Sequence, residues 1–243
     1  MSVIFDGHDI GLICTCGDPK LTILSSSVNY AESSNRNGAI VRGRTWGTSA
    51  VEFTVAFNGT KEECRNAMST LGMWLDVDES KKLVLPDTPD RYYMAIPDGD
   101  LSLTRGFGGE YGTLKFTLTD PIAYGRVVSV DVPSEGSVSF IVGGTAPTYP
   151  TIESSTVTPD GTSKLWGLRL DGGEFFHIGN GGSSDITITA DFRQRTSTIA
   201  GVLHLPTLDS DWFALTPGED AVHTLANDIG SGAVTVKYQE RWL

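Results

Sequence analysis

Val51-Glu52-Phe53-Thr54-Val55-Ala56-Phe57 alternates apolar and polar side chains, and Thr60-Lys61-Glu62-Glu63 begins three positions later. The period of two predicts a strand with one face buried. The second stretch is a capping box: the Thr60 hydroxyl can accept from the Glu63 amide while the Glu63 carboxylate reaches back. Beyond it Cys64, Ala67, Met68, Leu71 and Trp74 recur at helical spacing, which predicts one helix over about 61–75 with its apolar stripe across a sheet. Glu62 and Glu63 suit the positive end of that helix's dipole.

The same alternation recurs outward from this unit. Thr113-Leu114-Lys115-Phe116-Thr117-Leu118, Ile186-Thr187-Ile188-Thr189-Ala190 and Ala233-Val234-Thr235-Val236-Lys237-Tyr238 each read as half-buried strands. Lys81 to Pro86, Arg91 to Ile96, Arg126 to Val132 and Ser137 to Val142 are further strands. With 28 glycines and 11 prolines among many Thr, Ser and Val, the chain has the composition of short strands joined by tight turns. The fold class expected is therefore all-β, mainly β with one helix. Asp120-Pro121-Ile122-Ala123-Tyr124-Gly125 interrupts the strands with a residue that cannot donate to a ladder, and marks a domain boundary. We expect residues 1–126 to form a β-sandwich carrying the helix, and residues 127–243 a jelly-roll type β-sandwich.

Length and charge narrow the function. A chain of 243 residues can bury about 70% of its surface on folding, ample for a core. No apolar run approaches the ~20 residues a membrane-spanning helix needs, so no membrane insertion is expected. Asp6, His8 and Asp9 break any apolar leader in the opening ten residues, and the chain is expected to start as a mature cytosolic product would. The 18 basic against 30 acidic side chains leave −12 at pH 7, which opposes stable binding to nucleic acid or an anionic membrane. Three cysteines, Cys14, Cys16 and Cys64, read as reduced thiols and not as a disulfide framework.

Chemistry-bearing motifs are sparse. His8, His177, His204 and His223 lie far apart, and none sits in a zinc-binding spacing, so surface or packing roles are expected. Asp209-Ser210-Asp211 with Asp185 lacks the glycine and terminal glutamate of a calcium loop, and is read as acidic turns. Gly106-Phe107-Gly108-Gly109 and Gly179-Asn180-Gly181-Gly182 have no following helix and lysine to cradle phosphate, and are read as hairpin turns or loops. No nucleophile elbow occurs. No enzyme, cofactor or metal is expected. Trp46, Trp74, Trp166, Trp212 and Trp242 read mainly as buried anchors or subunit contacts, with Trp166 and Trp212 as candidate contacts for carbohydrate or a partner.

Phe5-Asp6-Gly7, the strand and helix of Val51 to Leu75, Pro86-Asp87-Thr88-Pro89-Asp90-Arg91-Tyr92-Tyr93, and Gly112 to Thr117 running into Asp120 to Gly125 together resemble the siphophage distal tail protein (Dit) family. Phe213-Ala214-Leu215-Thr216-Pro217-Gly218 and Tyr238-Gln239-Glu240-Arg241-Trp242-Leu243 are similar to the end of the same family, and Ile122 stands where its pattern has an aromatic. The resemblance covers nearly the whole chain. It implies a virion structural protein of the phage tail tip, assembled in the host cytoplasm and working in host adsorption. It also implies a ring-forming N-terminal belt domain and a galectin-like C-terminal sandwich. As a homo-hexamer the protein would join the tail tube protein to the tail-associated tip protein, anchor receptor-binding or baseplate proteins, and leave a lumen for DNA in transit. The alternative from a different class is a carbohydrate-binding, lectin-like host-adhesion protein.

Closed rings need two different patches on each subunit, and strands around Tyr92-Tyr93 and Thr113 to Thr119 are expected to supply edges for lateral pairing. Arg42, Arg44, Trp46, Arg91, Tyr92 and Tyr93 gather guanidinium and aromatic groups as interfaces do, and are the candidate ring contacts.

Overall fold

The computed structural model describes residues 2–22, 25–32, 37–99, 103–106, 109–218 and 221–243, and it divides into two compact units, Met1–Tyr124 and Gly125–Trp242. Strands dominate both, and one α-helix occurs among the described residues. That helix is too short and too polar to cross a membrane.

In the first unit the chain forms β1 (Ile4–Phe5), β2 (His8–Asp9), β3 (Thr15–Cys16), β4 (Lys20–Leu21), β5 (Ser26–Glu32), β6 (Ala39–Trp46), β7 (Ser49–Asn58), α1 (Lys61–Leu75), β8 (Lys81–Val84), β9 (Tyr93–Pro97), β10 (Leu103–Gly106) and β11 (Gly109–Leu118). Nine of these strands make one antiparallel sheet, ordered β2-β1-β8-β9-β11-β7-β3 with β10 beside β11 and β4 beside β7. Asp6 (φ 47°) and Gly7 (φ 80°) make the tight turn from β1 to β2, the left-handed pair that matches strand twist in a two-residue hairpin. At the end of the β10–β11 ladder Gly106 pairs with Gly109. Phe107 and Gly108 themselves lie outside the described residues.

The alternation read in the sequence holds strand by strand. Val51, Phe53, Val55 and Phe57 are buried on β7, and Leu114, Phe116 and Leu118 on β11, in a continuous ten-pair register. β1 and β11 are three steps apart, so a flat sheet would separate them by roughly 14 Å. Yet the rings of Phe5 and Phe116 lie 4.9 Å apart. The sheet must therefore roll until its inner face meets itself, which lets one sheet supply both walls of a core. α1 begins at Thr60, whose hydroxyl accepts from the Glu63 amide at 3.3 Å while the Glu63 carboxylate accepts from the Thr60 amide at 2.8 Å. Cys64 and Leu71 are its buried residues, with Ala67, Met68 and Trp74 half-buried on the same stripe; Trp74 stacks on His8 at 4.7 Å.

One pair of strands stands outside this sheet. Among the described residues β5 and β6 pair only with each other, and none of their residues is buried.

The second unit contains β12 (Ala123–Val132), whose first two residues group with the first unit, then β13 (Ser137–Ile141), β14 (Thr151–Glu153), β15 (Trp166–Leu170), β16 (Glu174–Ile178), β17 (Ile188–Asp191), β18 (Thr196–Ile199), β19 (Val202–Leu203), β20 (Val222–Ile229) and β21 (Val234–Trp242). They form a six-stranded sheet, β12-β21-β14-β17-β18-β19, and a four-stranded sheet, β13-β20-β15-β16. Residues from both sheets build one core: Ile152, Ile188, Val234 and Val236 from the first, and Trp166, Leu168, Phe176 and Leu225 from the second. This is a β-sandwich.

Candidate assembly interface

Period-two alternation sets the faces of the β5–β6 hairpin. Arg44 and Trp46 fall on one face of β6, opposite Val28 and Ser26, and the Arg44 guanidinium lies 5.6 Å from the centre of the Trp46 ring. The register shift between Asn29 and Tyr30 leaves Arg42 as an extra residue on β6, so Val41, opposite Tyr30, shares the Arg44–Trp46 face and Ile40, opposite Ala31, falls on the other. Tyr30 and Val41 are about three-fifths exposed, and Ile40 and Trp46 nearly half. Two strands alone bury too little to be stable in water. At its base the Gly47 amide donates to the Ser25 carbonyl at 2.7 Å, and the Thr22 amide to the Ala50 carbonyl at 2.9 Å.

The other expected ring contacts form a separate cluster within the rolled sheet. Tyr92 exchanges backbone hydrogen bonds with Tyr124 at 2.9 and 2.8 Å; their rings stack 5.6 Å apart, and the Lys82 ammonium lies 4.5 Å over the Tyr92 ring. The Tyr124 hydroxyl donates to Asp120. Arg91, half-buried, reaches the Asp90 carboxylate at 3.3 Å.

Three expectations need correction. Tyr93 points into the core with Ala95, and burial pushes its phenol pKa up; it is no surface contact. β9 and β11 are not edges, because β8 and β11 flank β9 while β7, β9 and β10 take up the polar backbone of β11. Trp166 has no exposed surface, so it cannot stack on a sugar. Its ring sits in the sandwich core with its indole nitrogen unpaired. Trp212 is half-buried and packs against Phe176 and Phe192, each 5.2 Å away, which spends its ring on the core.

Two histidines prove to be paired, a feature no local motif signalled. His223 has Asp171 at 2.8 Å from one ring nitrogen and the Thr216 carbonyl at 2.8 Å from the other. His177 lies 2.5 Å from one oxygen of Asp228, while Arg169 donates to the other at 2.7 Å. Gly167 makes this second network possible: a Cβ there would lie 2.1 Å from the His177 ring. The hydrogen bonds from Arg169, then those from His177, hold the Asp228 carboxyl below its usual range despite partial burial. A depressed carboxylate contributes stability above its unfolded-state pKa of about 4, and that contribution disappears as pH falls through the folded value. Asp228→Asn is therefore expected to melt earlier than the native protein at pH 7, with the difference closing below about pH 4. Thermal melts across pH check this.

The acidic turns are also engaged. Asp185 accepts from the Thr158 hydroxyl at 2.7 Å and Asp211 from the Phe175 amide at 3.3 Å. Among the described residues no group of three or more histidine, cysteine or acidic side chains is arranged to hold a metal.

Comparison with known proteins matches both units. A family model described as the phage tail protein RIFT-related domain matches residues 5–119, and one described as the siphovirus-type tail component, C-terminal domain, matches residues 143–242. The distal tail protein of Bacillus phage SPP1 is 29% identical over 174 residues, covering 69% of this chain and 67% of that protein. The crystal structure of SPP1 Dit, described as a paradigm of the hub adsorption apparatus in phages infecting Gram-positive bacteria, covers 100% of this chain and 99% of its own with a TM-score of 0.79 at 20% identity. Tail-protein models on both units, a curated relative and a shared fold lead to one assignment: this chain belongs to the siphophage distal tail protein (Dit) family.

Proposed function

We propose that this protein forms the central ring of a siphophage tail tip, six copies closing around a lumen through which DNA passes. Family membership makes it a structural component of a phage tail hub and places it in the virion tail. The ring is the finer reading, and the exposed β5–β6 hairpin carries it. An arm with two wet faces, an Arg-Trp stack and exposed Tyr and Val needs a surface to lie on. A ring supplies that surface from the next subunit, because a heterologous contact joins two different patches in every copy. Charge favours the same partner: Arg42 and Arg44 extend from a chain of net −12. Arg91 and Tyr92 are the companion contacts of the first unit.

In this reading the first unit builds the ring between the tail tube protein and the tail-associated tip protein. The second unit, a galectin-like sandwich, is the bracket for receptor-binding or baseplate proteins. Assembly takes place in the host cytoplasm. Six copies at −12 each would repel the phosphates of a passing genome from any acidic lumen wall. No catalytic role is assigned. Light scattering on the purified protein over a concentration series is expected to reach a mass of six protomers. A single-copy mass at every concentration would overturn the ring.

A further inference from the structure

Neither the ring nor the cores account for one surface of the second unit. Val202 and Leu203 of β19 are 64% and 67% exposed, Leu205 is 83% exposed and Leu208 fully so. Val202-Leu203-His204-Leu205-Pro206-Thr207-Leu208 contains no Asp, Glu, Lys or Arg.

This segment is firmly held. From the sheet edge at β19 the chain crosses to the free edge of β16, where the Thr207 amide donates to the His177 carbonyl at 2.9 Å, the His177 amide to the Ser210 hydroxyl at 2.9 Å and the Asp211 amide to the Phe175 carbonyl at 2.7 Å. A turn closed by the Ser210 amide on the Thr207 carbonyl at 3.0 Å puts Leu208 at its tip, and the Thr207 and Ser210 hydroxyls bond across it at 2.8 Å. Turn tips favour residues such as Gly, Asn, Asp and Ser; here a clamped turn holds a leucine out in water. A preorganised group of this kind loses little freedom on binding. Asp209 and Asp211 follow directly, so the apolar strip ends in two carboxyl side chains.

We propose that Val202–Leu208 is a docking strip for an extended segment of another tail protein that carries aliphatic side chains beside Lys or Arg. The partner's setting rests on the tail-hub reading; its chemistry rests on the strip. Four exposed aliphatic residues call for apolar side chains, and Asp209 and Asp211 call for cations next to them. The same strip on a second copy does not supply them, because Val202–Leu208 contains no Lys or Arg.

The test uses the full-length protein and two fluorescent peptides of alternating leucine and threonine, one with two lysines at each end and one with glutamates instead. At about 0.15 M salt, the lysine-flanked peptide is expected to bind saturably by fluorescence anisotropy. Leu208→Asp should weaken it about tenfold, and Asp209→Asn with Asp211→Asn about threefold. The glutamate-flanked peptide should bind more weakly than its counterpart. Absent binding, equal binding of both peptides, or binding that Leu208→Asp leaves unchanged would overturn the strip. Leu208 touches no core, so its replacement leaves the fold intact. Light scattering on the same samples reads the ring separately, so failure of the ring and failure of the strip are distinguishable.

Discussion

Excising residues 26–46 and joining Ser25 to Gly47 through two glycines will give a folded protein that stays at single-copy mass. The ends to be joined already meet, with the Gly47 amide on the Ser25 carbonyl at 2.7 Å, so the splice introduces no strain into β4 or β7. No residue of β5 or β6 is buried, so the core of the first unit loses nothing and its melting temperature is expected to hold. Assembly, by contrast, should vanish. Short of excision, Arg42→Glu with Arg44→Glu reverses the arm's charge, and Trp46→Ala removes its largest ring; each is expected to shift the ring toward monomer at low concentration. Light scattering and thermal melts on the same samples separate a lost interface from a lost fold. If six-copy assembly survived excision, the arm would not be the joint.

Trp166→Ala is expected to have the largest effect on stability, with nothing bound or catalysed at the site. The side chain is fully buried between the sheets of the second unit, and removing a core tryptophan costs about 3–5 kcal/mol. Domains have only about 5–15 kcal/mol to lose. The backbone packs closely on the ring: a Cβ added at Gly230, at φ 76°, would lie 3.2 Å from the indole. We expect the second unit to melt far below the native protein while the first keeps its transition, a split that calorimetry would resolve. Trp166→Phe should recover part of the loss. A variant that melts normally but loses adhesion to host cell walls would restore the carbohydrate contact set aside above.

What the sequence made legible was local. The capping box at Thr60 and the apolar stripe after it specify α1 to the residue, because both depend on neighbours three and four positions apart. β7 and β11 were equally plain, since alternation fixes which face is buried whatever the partner strand is. Strand order was not legible. Nothing in Tyr93–Pro97 or Gly109–Leu118 distinguishes an interior strand from an edge, so the proposed lateral pairing fell on backbone already in use. Two misplaced aromatics had a signal. In Trp166-Gly167-Leu168-Arg169-Leu170 the tryptophan keeps phase with the two leucines while the arginine faces away, and Tyr93 keeps phase with Ala95. The His177–Asp228 and His223–Asp171 pairs join residues about fifty positions apart, which only the assembled sheets bring together. Nothing in the sequence marks the leucines at 203, 205 and 208 as exposed, because an uncharged run carries no sign of being held outside the sandwich.

β21 is the latest strand of the second unit to be synthesised, and it lies between β12 and β14 in the six-stranded sheet. Its predecessors therefore leave the ribosome as a sheet missing an inner rail, with Val130, Val132 and Ile152 lacking the Val234, Val236 and Tyr238 that share their core. The first unit has all its sheet strands by Leu118 and can close while translation continues. Newly made subunits should thus mature in two steps, and a ribosome stalled before codon 234 would hold a finished first unit tethered to an unfinished second.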